Sequence, residues 1–153
     1  MNIGLKDSYK SEMTEKLNSY LSNIQIAYMN TRGYHWNVTG KQFFALHAKF
    51  EELYNRLNEM ADEIAERILM LGGKPVHSFS EYIKISSIKE RLNVSSTEDT
   101  VKALLEDTGV LLAKERELLS LASDNDDEAT ANILTEYIQG QEKMIWMFSA
   151  FLK

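Results

Sequence analysis

From about Gln42 to Leu71 the chain runs without a proline or a glycine, and its apolar residues Phe43, Leu46, Phe50, Leu53, Leu57, Met60, Ile64 and Ile68 recur in steps of three and four. That period belongs to a long amphipathic helix. Gly72-Gly73, with Pro75 just beyond, marks where it stops. An apolar stripe of this length needs partners of similar length to cover it, and the rest of the chain supplies them.

The same period runs from about Leu5 to Trp36 through Leu17, Leu21, Ile24 and Tyr28, and Val38-Thr39-Gly40-Lys41 reads as a short turn. After Pro75 comes a connection of about twenty residues, long for a compact domain unless it carries structure of its own. Within it the phase of Phe79, Tyr82 and Ile83 predicts a short helix. Ser96-Thr97-Glu98-Asp99 reads as a helix start, with a capping hydroxyl and acids in the first turn. That helix continues through Val101, Leu104, Leu105, Leu111, Leu112, Leu118 and Leu119 to the acidic turn Ser123-Asp124-Asn125-Asp126-Asp127, and a last helix runs from about Glu128 to Phe151. The expected fold is all-α: one domain, residues 1–153, built as a four-helix bundle with a short extra helix in the connection between the second and third long helices. The long connection lets the third helix run parallel to the second, the single-crossover topology of ferritin-like folds.

One proline and seven glycines suit long helices better than a turn-rich β fold. The cysteine count is zero, which removes disulfides, thiol catalysis and cysteine metal sites. No apolar run reaches the roughly 18 residues that span a bilayer, and the N-terminus shows no secretory pattern, so a cytoplasmic location is expected. The net charge of −6 argues against a surface built to hold nucleic acid.

What chemistry remains rests on histidine and carboxylate. His47 and Glu51 are one helical turn apart, as are Asp62 and Glu66, and each pair shares a face. Histidine with carboxylate is a ligand set for iron, manganese or zinc. His35, shortly before the first turn, and His47, shortly after it, lie at similar heights if the two helices pair antiparallel. Along one straight helix, however, His47 and Asp62 are roughly 22 Å apart. Either one pair is idle or another copy of the chain completes the site. The Glu-x-x-His repeat of self-contained di-iron bundles is absent, which favours a site shared between subunits. Each acid taken alone is more ordinarily solvated surface, and Trp36 is by default core or interface filler.

These residues resemble the Dps family, the mini-ferritins named as DNA-binding proteins from starved cells. The matching pieces are His35-Trp36-Asn37-Val38 with Gly40, Phe44 with Leu46-His47, Asp62 leading into Ala65-Glu66-Arg67, Gly72-Gly73 with Pro75, and the late Ile145-Trp146-Met147. The resemblance implies a homododecamer with iron as substrate and ferroxidase sites at two-fold interfaces. His35 and His47 would come from one subunit, and Asp62 and Glu66 from its neighbour. Glu51 stands where many members have an aspartate and is expected to ligate as well. The family oxidises Fe(II) preferentially with hydrogen peroxide and stores ferric mineral inside the shell. By the same resemblance Asp124, Asp126, Asp127 and Glu128 are candidates for an iron inlet at the three-fold axis, although Asn132 stands where some relatives have an aspartate. DNA binding is not expected, because the lysine-rich tail that members use for it is absent. Two other classes remain: a DNA-compacting protein with little ferroxidase activity, which would need a basic surface, and a purely structural helical oligomer, which would bind no iron.

Overall fold

The computed structural model describes residues 2–153. Five helices run in the order α1 Asp7–Asn37, α2 Phe43–Met70, α3 Phe79–Ile85, α4 Thr97–Asp124 and α5 Glu128–Phe151, and among the described residues there is no strand. The long helices and the short α3 stand where the period places them. α1 packs along α2, α4 pairs with α5, and α1 also lies against α4 and the short α3. No helix among the described residues is long and apolar enough to cross a membrane.

The ends of the helices are set by local chemistry. Ser96 caps α4 by accepting the Asp99 N–H at 3.0 Å, and Ser78 caps α3 by accepting from Glu81. α2 ends at Gly72, whose φ of +86° is comfortable only without a side chain. Gly73 follows for a different reason: a Cβ there would sit 2.7 Å from Thr14 on α1, so only a glycine lets the chain pass.

The core divides into two clusters. The larger holds Met13, Leu17, Tyr20, Leu21 and Ile24 of α1 against Ile64 and Ile68 of α2 and Leu118 and Leu134 of α4 and α5. The smaller lies beneath the α1–α2 turn and is made of Tyr34, Val38, Leu46, Phe50, Val101, Leu104 and Phe148. In it the Phe50 and Phe148 rings stack at 6.4 Å. Its Tyr34 and Leu46 are the chain neighbours of His35 and His47, and Phe43, packed against it, reaches the His47 ring.

The middle connection is fastened by buried polar groups as well as by Tyr82 and Ile88, which enter the larger cluster. Asn30 donates to the Lys89 carbonyl and to Asp107, both at 3.0 Å, and accepts from the Arg91 N–H at 3.0 Å. Arg91 then pairs with Asp107 at 2.9 Å. One asparagine thereby spends both its donor and its acceptor on holding the crossover to α1 and α4.

At the opposite end, Arg67 of α2 pairs with Asp127 at 2.8 Å and donates to the Thr130 hydroxyl at 2.8 Å. Tyr9 of α1 donates to the same carboxylate at 2.6 Å, and Thr130 donates to it through both N–H and hydroxyl. Burial opposes the charge on Asp127, but the bonds from Thr130 and Tyr9 and the Arg67 guanidinium hold its carboxyl below the usual range. Asp127→Asn should therefore cost about 3–5 kcal/mol, the penalty for stranding a buried guanidinium. The carboxylate's contribution is present above the ordinary aspartate pKa, about 4, and is lost as pH falls through the lowered folded value. Equilibrium denaturation at fixed protein concentration should show a large wild-type advantage at pH 7 that shrinks in acid.

Candidate metal centre

His35 lies in the last turn of α1 and His47 in the first full turn of α2, so the antiparallel pairing brings them face to face. Their rings stack at 3.8 Å between centroids, 12° from parallel. Each ring is held by the other helix: His35 Nδ1 lies 2.6 Å from the His47 carbonyl oxygen, and His47 Nδ1 lies 2.7 Å from the His35 carbonyl oxygen. A carbonyl accepts and cannot donate, so both Nδ1 atoms carry a proton, and in the neutral ring the lone pair falls to Nε2. The His35 carbonyl belongs to the last turn of α1, where no helical N–H is left to bond it. The same two bonds thus satisfy a carbonyl at a helix end and fix the orientation of both rings. Phe43 stacks on His47 at 5.0 Å, and Tyr54 meets the His35 ring edge-on at 5.3 Å.

The carboxylates are placed differently. Glu51, Asp62 and Glu66 are all exposed along α2. Neighbouring acids are engaged: Glu59 and Glu63 bond Arg56, and Glu63 also accepts from Tyr137. Asp62 instead opens onto a shallow hollow with Gln25, Asn58, Ala65 and Tyr82. Among the described residues, no three His, Asp or Glu side chains of the one chain gather around a common point. The histidine pair is brought together; the Asp62–Glu66 pair stays apart from it, as helical rise requires.

One expectation is corrected. Asp127 is 2% exposed and committed to Arg67, Tyr9 and Thr130, so it cannot line a channel; it caps α5 instead. Asp124, Asp126 and Glu128 of the same turn are exposed. Trp36 is not core packing within its own chain: it is 55% exposed, with the Arg32 guanidinium 4.7 Å from its ring. Arg32 also lies over Tyr28 and Tyr54, at 5.4 Å and 5.6 Å. This cationic–aromatic group beside His35 went unread in the sequence, although Tyr28, Arg32 and Trp36 follow one another at i, i+4.

A family model described as a ferritin-like domain matches residues 14–153. An uncharacterised protein of Haemophilus influenzae is 47% identical over 149 residues, covering 97% of this chain and 93% of that one. A DNA protection during starvation protein of Porphyromonas gingivalis is 39% identical over 148 residues, with the same coverage of 97% and 93%. Among solved structures, the Dps protein of Vibrio cholerae O1, described as a member of a broad superfamily of ferritin-like diiron-carboxylate proteins, superposes with a TM-score of 0.97 at 45% identity. That match covers 100% of this chain and 96% of the other.

Nitrogen NMR on histidine-labelled protein should report His35 and His47 as the Nδ1–H tautomer across neutral pH. His77 is exposed and bonds only the nearby Pro75 carbonyl, so it should exchange between forms. A dominant Nε2–H signal at either of the paired histidines would show that the reciprocal bonds are not made.

Proposed function

The chain belongs to the ferritin-like family and, within it, to the Dps proteins, and from that premise we propose that it oxidises and stores iron. The oxidant it prefers is hydrogen peroxide, the product is ferric mineral held inside a closed shell of twelve subunits, and the setting is the cytoplasm. The observation that carries the reading is the stacked histidine pair, each ring held through Nδ1 by the other's backbone carbonyl so that Nε2 is the nitrogen left for a metal.

Two nitrogens do not make a ferrous site. Hard carboxylate oxygens complete the donor set that iron prefers, and the fitting candidates are Asp62 and Glu66 of a neighbouring subunit, with Glu51 one turn from His47. A two-fold axis crossing α2 sets one chain's histidines against the other's acids and generates two equivalent sites per interface. Two ferrous ions held close together give up one electron each. Peroxide then takes both electrons at once, its O–O bond breaks, and with two protons it leaves as two waters. No one-electron step releases hydroxyl radical, and protection of DNA follows from that without contact with DNA. A net charge of −6 fits protection of this indirect kind. Asp124, Asp126 and Glu128 are proposed to draw cations inward where subunits meet.

The test is complementation between subunits. A variant lacking the histidines (His35→Ala with His47→Ala) and one lacking the acids (Asp62→Ala with Glu66→Ala) should each assemble and each be nearly inactive in peroxide-driven iron oxidation. Refolded together in equal amounts, they form mixed interfaces about half the time, each with one intact site, so about a quarter of wild-type activity should return. A mixture as inactive as its parents, in shells shown by mass to be mixed, would refute sharing of the site. In the wild type, peroxide should outpace oxygen, and activity should fall in mild acid, because histidine and carboxylate ligands must be deprotonated to bind metal.

A further inference from the structure

Glu115, in the middle of α4, has no exposed surface. Among the described residues no cation pairs with it: the adjacent Arg116 turns outward to Glu142. One carboxyl oxygen, Oε1, accepts two hydrogen bonds, from the Tyr20 hydroxyl at 2.5 Å and from Gln141 Nε2 at 2.6 Å. The other, Oε2, has no partner, and neither has the amide oxygen of the same Gln141. Gln141 is itself 7% exposed. Two acceptors are thus left bare on two side chains that are already joined, in an interior where bare acceptors are rare. Both oxygens are shut off from solvent. Turning the amide over would only set its oxygen against Glu115 Oε1, two acceptors where a 2.6 Å hydrogen bond now stands. A proton on the carboxyl group is the smallest donor that could serve both bare oxygens.

We propose that Glu115 is carried as a neutral carboxylic acid whose Oε2–H donates to Gln141 Oε1, so that acid and amide close a cyclic two-bond pair stapling α4 to α5, with Tyr20 fixing it from α1. The groups that face it agree with this. From α1 comes Tyr20, whose own hydroxyl is pushed well up by burial and by Glu115. From α5 come Gln141 and, nearby, Tyr137, whose hydroxyl donates to Glu63. From α2 the Arg56 charge reaches as far as Tyr20, but that guanidinium is taken by Glu59, Glu63 and Glu136. Burial raises the Glu115 carboxyl to about 7, against the pull of the Tyr20 and Gln141 bonds and of Arg116. A group raised on folding stabilises the fold fully below its unfolded pKa and loses that contribution as pH rises through the folded value. The α4–α5 staple therefore holds in mild acid and slackens from about pH 5 upward, levelling once pH passes about 7.

Infrared difference spectroscopy on the assembled protein tests this directly. Glu115→Gln keeps the shape and supplies an amide donor to Gln141, so it should fold and keep its iron chemistry. At pH 5.5 wild type minus Glu115→Gln should show the carbonyl stretch of one protonated carboxylic acid, at higher frequency than carboxylate or amide bands, fading as pH rises through about 7. Across the same range the melting temperature of the wild type should fall by a few degrees relative to the variant. Absence of the band at pH 5.5, or parallel melting curves, would overturn the proposal. If Glu115→Gln fails to fold, Tyr20→Phe serves instead. Loss of that donor should move the fading of the band to higher pH, and an unmoved band would show that it is not Glu115.

Discussion

The antiparallel contact of α1 with α2 is the interaction on which the rest of the molecule depends. It buries the longest apolar stripe in the sequence, and the turn that closes it sets His35 against His47. The smaller core cluster, with Tyr34, Phe50 and Phe148, forms because that turn folds back over it. The same straight α2 that delivers His47 carries Asp62 and Glu66 away from it at a fixed rise per residue. Packing and separation have one cause: a helix long enough to build the bundle is too long to bring His47, Asp62 and Glu66 to one point.

The polar interior follows a related rule. Asn30 holds the crossover, Asp127 joins three helices through Arg67, Tyr9 and Thr130, and Glu115 links three through Tyr20 and Gln141. Each sits where apolar packing alone would leave helices free to slide, and each fixes a register that leucine and isoleucine do not specify. Uniform apolar stripes set which faces meet; these few bonds set the height at which they meet.

Much of this was legible in the sequence because it is periodic or local. Helix lengths follow from apolar spacing, the ends from Ser96, Gly72 and Pro75, and the depth of the two histidines from their distance to one turn. What could not be read was the partner of each buried charge. Asp127 stands in a run of acids that looks solvated, and Arg67 follows Glu66 as though the two were an exposed pair; only the folded chain, which brings residues 67 and 127 together, separates them. Glu115 lies between Lys114 and Arg116, a context that reads as surface, yet it faces Tyr20. Trp36, which the sequence leaves between core and interface, lies open beside Arg32.

The division of donors along α2 also bears on the life of a newly made chain. A subunit that has folded but not yet met its neighbour holds a pair of well-aimed nitrogens and, far from them, a pair of waiting carboxylates. On the proposed reading it can bind ferrous iron only weakly and has no second ion beside it, so it lacks the arrangement that would let stray iron react with peroxide one electron at a time on its surface. On that reading assembly acts as the ignition key: the chemistry starts only once two subunits have met across an interface of the container that will receive its product.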